Sequence, residues 1–288
     1  MTARPRLFCF GYGFSAAALA ARLRPQGFAI AGTCRTAEKA ARLKEAGVES
    51  FIFDNQLVDA EAALHGTTHL LLGVPPGAAG DPVCAAHGAD IARLAPSLNW
   101  IGYLSTTGVY GDRGGDWVDE ESPLAPSTER GARSLAAEQG WQALAQAHGL
   151  PLHIFRLAGI YGPGRNQLES LRDGTARRIV KPGQVFSRIH VDDIAAILDA
   201  SIHHPNPGRA YNVCDDEPAP PQDVVAYAAQ LLGLTPPPEI AFEDADLSPM
   251  AKSFYAESKR VSNRRVHDEL GVRLAYPTYR EGLSALLA

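Results

Sequence analysis

Four apolar residues, Leu7-Phe-Cys-Phe10, run directly into Gly11-Tyr-Gly13-Phe-Ser-Ala16, and small helix-forming residues follow. A strand, a tight glycine turn and a helix start laid end to end restrict the fold, because the helix must pack back on the strand it leaves. Glycine at position 11 permits a turn that a side chain would obstruct. Glycine at 13 lets backbone approach a phosphate, and the small Ala16 lets the helix close on the strand. The N–H groups at the helix start and the positive end of its dipole then face the anion. Gly11, Tyr12, Gly13, Phe14, Ser15 and Ala16 are therefore the expected seat of a dinucleotide pyrophosphate. Gly-x-Gly-x-x-Ala also arises by chance; its place on the first strand, with a second strand behind it, gives it weight.

Strand-length apolar runs at 7–10, 29–33, 50–53, 69–73, 100–105 and 152–157 alternate with helical stretches such as 15–23, 37–46 and 129–148. This alternation implies a parallel sheet covered on both faces. After about residue 160 glycine, proline and short strands intrude. Two helices are expected in the tail, over 222–232 and 256–270, separated by Thr235-Pro-Pro-Pro238, which neither could hold internally. The expected fold class is α/β: a doubly wound parallel sheet, or Rossmann fold, with a smaller C-terminal α/β substrate lobe over its cleft. The expected division is a nucleotide domain over 1–160, with elements returning from 185–215, and a lobe formed mainly by 161–288.

At 288 residues, 45 % hydrophobic and 20 % charged, the chain has the composition of a globular protein, which argues against disorder and coiled coil. No apolar stretch approaches the roughly 20 residues that span a bilayer, and Met1–Arg6 is too short and abrupt for a signal peptide, so the expected location is the cytoplasm. Cys9, Cys34, Cys84 and Cys214 lie far apart with no Cys-x-x-Cys pair and read as reduced thiols. A net charge of −5 offers no global attraction to nucleic acid or anionic membrane, and neither is an expected partner.

The tip of the second strand should choose the cofactor, because the adenosine ribose lies against it. An acidic residue there would signal NAD. Here Ala29-Ile-Ala-Gly-Thr33 leads into Cys34-Arg35-Thr36 without a carboxylate. Arg35, helped by Thr36 and Lys39, could hold a 2′-phosphate through charge-assisted hydrogen bonds, so NADP(H) is expected in preference to NAD(H). The alternative is an Arg35 that only solvates a loop. Asp54, after the third strand, sits where such folds often bind the adenine amino group, and equally suits a plain turn. Gly73 and Val74, after the fourth strand, complete the expected cofactor set.

Three further segments, Tyr103-Leu-Ser-Thr-Thr-Gly-Val-Tyr-Gly111, Arg156-Leu-Ala-Gly-Ile-Tyr-Gly-Pro-Gly164 and Arg188-Ile-His-Val-Asp-Asp-Ile-Ala195, follow in order. With the glycine turn they make the chain resemble, over essentially its whole length, the extended and atypical short-chain dehydrogenases/reductases, which include NAD(P)-dependent sugar epimerases and dehydratases. The resemblance implies a nicotinamide cofactor, a substrate held between two lobes, and Thr106 at the family's catalytic Ser/Thr position, where a hydroxyl hydrogen-bonds the reacting carbonyl or alcohol.

The chain departs from that pattern at one place. Members normally carry Tyr-x-x-x-Lys on the helix after the fifth strand. Leu135-Ala-Ala-Glu138 is present here, but Arg130 and Ser134 occupy the two preceding catalytic positions. A tyrosine exchanges protons near neutrality because lysine and the nicotinamide lower its pKa; arginine stays protonated. Tyr255-Ala-Glu-Ser-Lys259 matches the spacing but lies far along the chain, where a surface helix is the plainer reading. Tyr110 and Tyr161, after the fifth and sixth strands, are the remaining catalytic candidates, with packing or substrate contact as the alternative. No metal site is expected, since His190 lacks a second ligand at suitable spacing and, by the resemblance, Asp192 is a scaffold residue. The acidic loop 112–121 could meet a cationic group or merely be solvated. Arg165, Arg188 and the pair Arg177-Arg178 fall in segments expected to line the substrate cleft, so a small-molecule substrate bearing phosphate or carboxylate is a candidate partner, and a homodimer a candidate assembly. Two functions stay open: an oxidoreductase or epimerase-like enzyme for a sugar, nucleotide-sugar or other anionic carbonyl compound, and a catalytically degenerate NADP-binding sensor or scaffold.

Overall fold

A computed structural model describes residues 4–287. Met1–Ala3, half of the segment read against a signal peptide, and Ala288 lie outside the described residues. In chain order the first elements are β1 (Arg6–Phe10), α1 (Phe14–Leu23), β2 (Ala29–Cys34), α2 (Ala37–Glu45), β3 (Glu49–Ile52), α3 (Ala60–Leu64), β4 (His69–Leu72), α4 (Pro82–Arg93) and β5 (Trp100–Thr106). There follow β6 (Trp117–Val118), α5 (Glu129–His148), β7 (Leu152–Leu157), β8 (Gly159–Tyr161), α6 (Gln167–Arg172), β9 (Arg178–Val180), β10 (Arg188–His190), α7 (Val191–His203) and β11 (Ala210–Val213). The tail holds α8 (Pro221–Leu231), β12 (Glu239–Ala241), α9 (Pro249–Tyr255), β13 (Arg260–Val261), α10 (Arg264–Leu270) and α11 (Tyr279–Ala285).

The strand order is β3-β2-β1-β4-β5-β7-β11, with β1 parallel to both β2 and β4, β2 to β3, and β4 to β5. The order reverses at β1, which is the doubly wound arrangement expected from the sequence. Apolar side chains fill the strands because helices cover both faces. Phe8, Phe10, Leu70, Leu72, Ile101, Tyr103, Leu152 and Ile154 join one core with Ala137 and Trp141 of α5. By contacts the chain divides into two units: through Thr106 with Arg133–Arg156 and Ile194–Tyr211, and Thr107–Ala132 with Leu157–Asp193 and from Asn212 onward. The second unit has its own core of Tyr161, Leu168, Val224, Ala228, Tyr279 and Leu283, and three two-stranded pairs, β8–β10, β9–β12 and β6–β13.

The expected helix over 256–270 is corrected. Residues 256–263 are non-helical, and Arg260-Val261 instead pairs with Trp117-Val118 as β13, so that only Arg264–Leu270 is helical. Helical periodicity was outweighed by a ladder to a segment some 140 residues earlier, which local spacing does not report. The expected helix over 222–232 appears as α8.

Two strand histidines carry a pH consequence. His153, buried in β7, accepts the Asn206 N–H at Nε2 (2.9 Å), and burial lowers its pKa from 6.5 to about 4. Burial, with the charge of His203, lowers His69 of β4 to about 4 as well. Both groups bind protons more weakly in the fold than unfolded, so their stability contribution is intact above about pH 6.5 and is lost as pH falls toward 4. The amide oxygen of a His153→Gln variant can still accept the Asn206 N–H but cannot titrate. Its unfolding midpoint is expected to fall less than that of the wild type between pH 6.5 and 4.5; parallel curves would show that His153 does not contribute.

Candidate functional site

β1 delivers the chain to Gly11 at the strand-order reversal, where Gly73 N–H donates to the Phe10 carbonyl (2.9 Å). Gly11 has φ +83°, and a Cβ there would lie 3.1 Å from the Gly73 carbonyl carbon and 3.2 Å from Val74 Cγ2, so conformation and space both demand glycine. The turn is tied to β2 twice: Gly11 N–H donates to Thr33 Oγ1 and Tyr12 N–H to the Thr33 carbonyl, each at 2.8 Å. The Tyr12 ring lies over Gly32, whose Cβ would fall 2.9 Å from Tyr12 Cδ2. Gly32 and Thr33 are site-building residues that motif spacing alone misses; the signal was a glycine inside a strand, which marks close approach of another group.

Gly13 differs from Gly11. Its φ is −109°, and a Cβ there would meet nothing nearer than the Gly11 carbonyl oxygen at 3.9 Å, so the space beside it is open. Gly13 is the N-cap of α1, no side chain caps that end, and no acidic residue lies in its first turn. The first amides of a helix lack intrahelical acceptors. Beside the open space, with Phe14, Ser15 and Ala16 forming the first turn and Ser15 and Ala16 buried, this end fits a pyrophosphate. Arg35 is exposed at the end of β2, whereas the Thr36 hydroxyl caps α2 by accepting the Lys39 N–H (3.2 Å). Asp54 is exposed just beyond β3.

Thr106 ends β5 and is half-buried. The residue before it, Ser105, donates its hydroxyl hydrogen bond to Glu138 of α5, and Arg156 of β7 holds the same carboxylate through Nη2 (2.9 Å) and Nε (3.2 Å). Glu138 is 1 % exposed and Arg156 4 %, so this is a charge pair withdrawn from water. Ser134 lies one helical turn earlier on α5 and is buried. Arg130, in the first turn of the helix, is exposed with its guanidinium over the Phe254 ring at 4.1 Å.

Both candidate tyrosines are engaged within the second unit. Tyr110 is buried and donates to Asn212 Oδ1 (2.7 Å); Asn212 in turn gives its N–H to Glu120 and its side-chain amide to the Ser262 carbonyl. Tyr161 is enclosed against Gly282, where a Cβ would overlap its hydroxyl, and burial raises its pKa well above the ordinary value. Burial likewise lifts the neighbouring Asp215 carboxyl to about 8 against the opposing pull of Arg188. Arg188 donates to the carbonyls of Phe186 (2.8 Å) and Ala219 (3.2 Å), while Arg165 is exposed. The scaffolding aspartate is Asp193 rather than Asp192: its two oxygens accept the N–H groups of Ala275 (2.7 Å) and Tyr276 (3.0 Å), and Asp192 is exposed. Tyr255 packs between Phe186 and Phe242, and Lys259 donates to the Gly111 carbonyl and Glu257. In the acidic loop, Asp112 accepts the Ser258 N–H, which holds its carboxyl below the usual range, and Glu121 pairs with Arg265. Among the described residues no group of three or more metal-ligating side chains occurs, and no helix is long and apolar enough to cross a membrane.

The model of the NAD dependent epimerase/dehydratase family matches residues 89–214. The protein YeeZ of Escherichia coli (strain K12) is 29 % identical over 279 residues, 93 % of this chain and 94 % of that protein. The structure of a functionally unknown conserved protein from Silicibacter pomeroyi DSS superposes with a TM-score of 0.90 at 54 % identity, covering 98 % of each chain. A dTDP-glucose 4,6-dehydratase from Bacillus anthracis str. Ames, in complex with NAD, superposes with a TM-score of 0.77 at 17 % identity over 98 % of this chain and 95 % of that one, a likeness of fold.

Two substitutions separate binding from folding. Gly13→Val places its side chain in open space, so the fold should persist while NADPH and NADH both lose detectable binding in calorimetry; undiminished binding by the folded variant would put the phosphates elsewhere. Tyr110→Phe leaves Asn212 Oδ1 buried without its donor and should cost about 1–3 kcal/mol in urea unfolding. An unchanged midpoint would mean that the bond contributes nothing.

Proposed function

We propose that this chain, which matches the model of the NAD dependent epimerase/dehydratase family over residues 89–214, is an NADP(H)-preferring oxidoreductase or epimerase-like enzyme for a sugar, nucleotide-sugar or other anionic carbonyl compound, with a non-standard proton relay. The observation that carries this reading is the cradle at Gly11–Ala16: an uncapped helix start facing open space, with exposed Arg35 at the neighbouring strand tip. Members of the family bind NAD(P). When bound, the nicotinamide donates or accepts a hydride; the remaining roles belong to the chain. The α1 amides hold the pyrophosphate, and the Arg35 guanidinium reads the ribose 2′-phosphate.

Thr106 supplies the hydroxyl that orients the reacting carbonyl or alcohol. Its neighbour Ser105 is anchored to Glu138, which supports a fixed position for that strand end. The proton step has no ordinary donor on α5: Arg130 cannot release a proton near neutrality, and Ser134 is a buried hydroxyl. Tyr110 is committed to Asn212 and the Tyr161 hydroxyl is enclosed, which supports packing roles for both. General acid–base assistance contributes about 10²–10⁴-fold, so turnover of the sugars that ordinary members process is expected to be slow. Arg130 stacked on Phe254 also favours a second reading, a cofactor-binding sensor or scaffold without hydride chemistry. A turnover screen with NADPH against carbonyl compounds and nucleotide-sugars separates the two.

The cofactor preference is tested at Arg35. Losing a pair of charged hydrogen bonds costs about 1.5–3 kcal/mol, so Arg35→Ala should weaken NADPH roughly ten- to hundredfold and leave NADH nearly unchanged. Equal affinities for the two cofactors in the wild type would defeat the claim.

A further inference from the structure

The loop that carries Asp54 holds an Asn55 Nδ2–Asp54 Oδ1 hydrogen bond of its own (3.4 Å), and among the described residues its backbone N–H tie to the rest of the fold comes from α4. Among the described residues, the N–H groups of Asp54, Asn55 and Gln56 take no hydrogen bond; the next, Leu57 N–H, donates to His87 Nε2 at 2.9 Å. Leu57 and His87 are both buried. Asn55 has φ +65°, the one non-glycine residue with positive φ among the described residues, so the loop holds a conformation that its backbone does not favour by itself. The other ring nitrogen of His87, Nδ1, meets Asp90 Oδ2 at 2.8 Å, one turn along α4, and Arg93 pairs with the second oxygen of that carboxylate. A carboxylate at Nδ1 keeps the proton there, which leaves the Nε2 lone pair for the Leu57 N–H.

The imidazole also stacks near the Phe10 ring (5.8 Å, 23°) and lies 6.0 Å from the Phe53 ring. Phe10 immediately precedes Gly11, and Phe53 immediately precedes Asp54. One side chain thus lies against the residues that lead into the glycine turn and into the Asp54 loop, and accepts the backbone N–H that ties that loop to α4. A leucine would fill the space between the phenylalanines equally well, but would leave a buried N–H unpaired.

We propose that His87, oriented by Asp90, is a positioning residue of the dinucleotide site: it holds the 54–57 loop so that the Asp54 carboxylate accepts the adenine amino group. The proposal rests on the dinucleotide reading above and deepens it. His87 touches no cofactor atom; it acts through Asp54.

The test uses an adenine-specific readout on the full chain. Affinities of NADPH and of reduced nicotinamide hypoxanthine dinucleotide phosphate, which lacks the adenine amino group, are measured by fluorescence titration for the wild type and for His87→Leu, His87→Gln and Asp90→Ala. A hydrogen bond from the amino group to a carboxylate predicts that the wild type prefers NADPH about tenfold. His87→Leu should bring the two affinities within twofold of each other, His87→Gln should restore most of the preference because its amide oxygen can accept the Leu57 N–H, and Asp90→Ala should fall between. If His87→Leu fails to fold, the Gln and Ala variants carry the comparison. A preference that survives in His87→Leu and Asp90→Ala overturns the proposal, as does a wild type that binds both nucleotides equally. Failure of the wild type to bind either nucleotide overturns instead the dinucleotide reading itself.

Discussion

A single buried carboxylate organises the middle of the first unit. Glu138 stands on α5, takes a hydroxyl hydrogen bond from Ser105 of β5 and is gripped by the Arg156 guanidinium of β7, so one group ties together a helix and two strands. Removing either charged partner of such a pair typically costs about 3–5 kcal/mol, because the other is left charged and out of water. The three residues therefore hold one another in place. Thr106 follows Ser105 directly, and Ser134 lies one turn from Glu138, so the network sets where β5 ends and how α5 is rotated.

The glycine-turn end of the first unit depends on absence of side chains more than on their presence. Gly11 lets the chain turn against Gly73, Gly32 gives Tyr12 a place to lie, and Gly13 leaves space beside an uncapped helix. Each glycine serves a different need: a left-handed conformation, close packing and access. The first turn of α1 carries no acidic residue, so no carboxylate on that turn opposes the positive end of the helix dipole.

In the second unit the polar residues that suggested chemistry are largely absorbed by structure. Tyr110 and Asn212 form a buried pair extended by Glu120, Arg188 satisfies two carbonyls, and Asp193 receives two amides of the 275–276 segment. These residue types were visible in the sequence. Apart from Phe186, two positions from Arg188, their partners lie about 30 to 100 positions away, and a side chain's role follows from what it faces.

The sequence by itself determined the parallel sheet and its glycine turn, because these follow from local rules: strand and helix periodicity, and glycine where backbone must turn or be approached. The expectation that Arg130 and Ser134 of α5 stand where ordinary members carry a tyrosine and a lysine rests on the resemblance alone. Only the tertiary structure decided that Gly32 and Thr33 build the turn, that 260–261 is a strand and not part of a helix, that Asp193 and not Asp192 is the scaffold, and that His87 anchors the Asp54 loop. The reason is common to all four: each depends on a contact between segments remote in the chain, whose pairing is fixed when the sheet and its covering helices bury apolar surface together, and which no local pattern encodes.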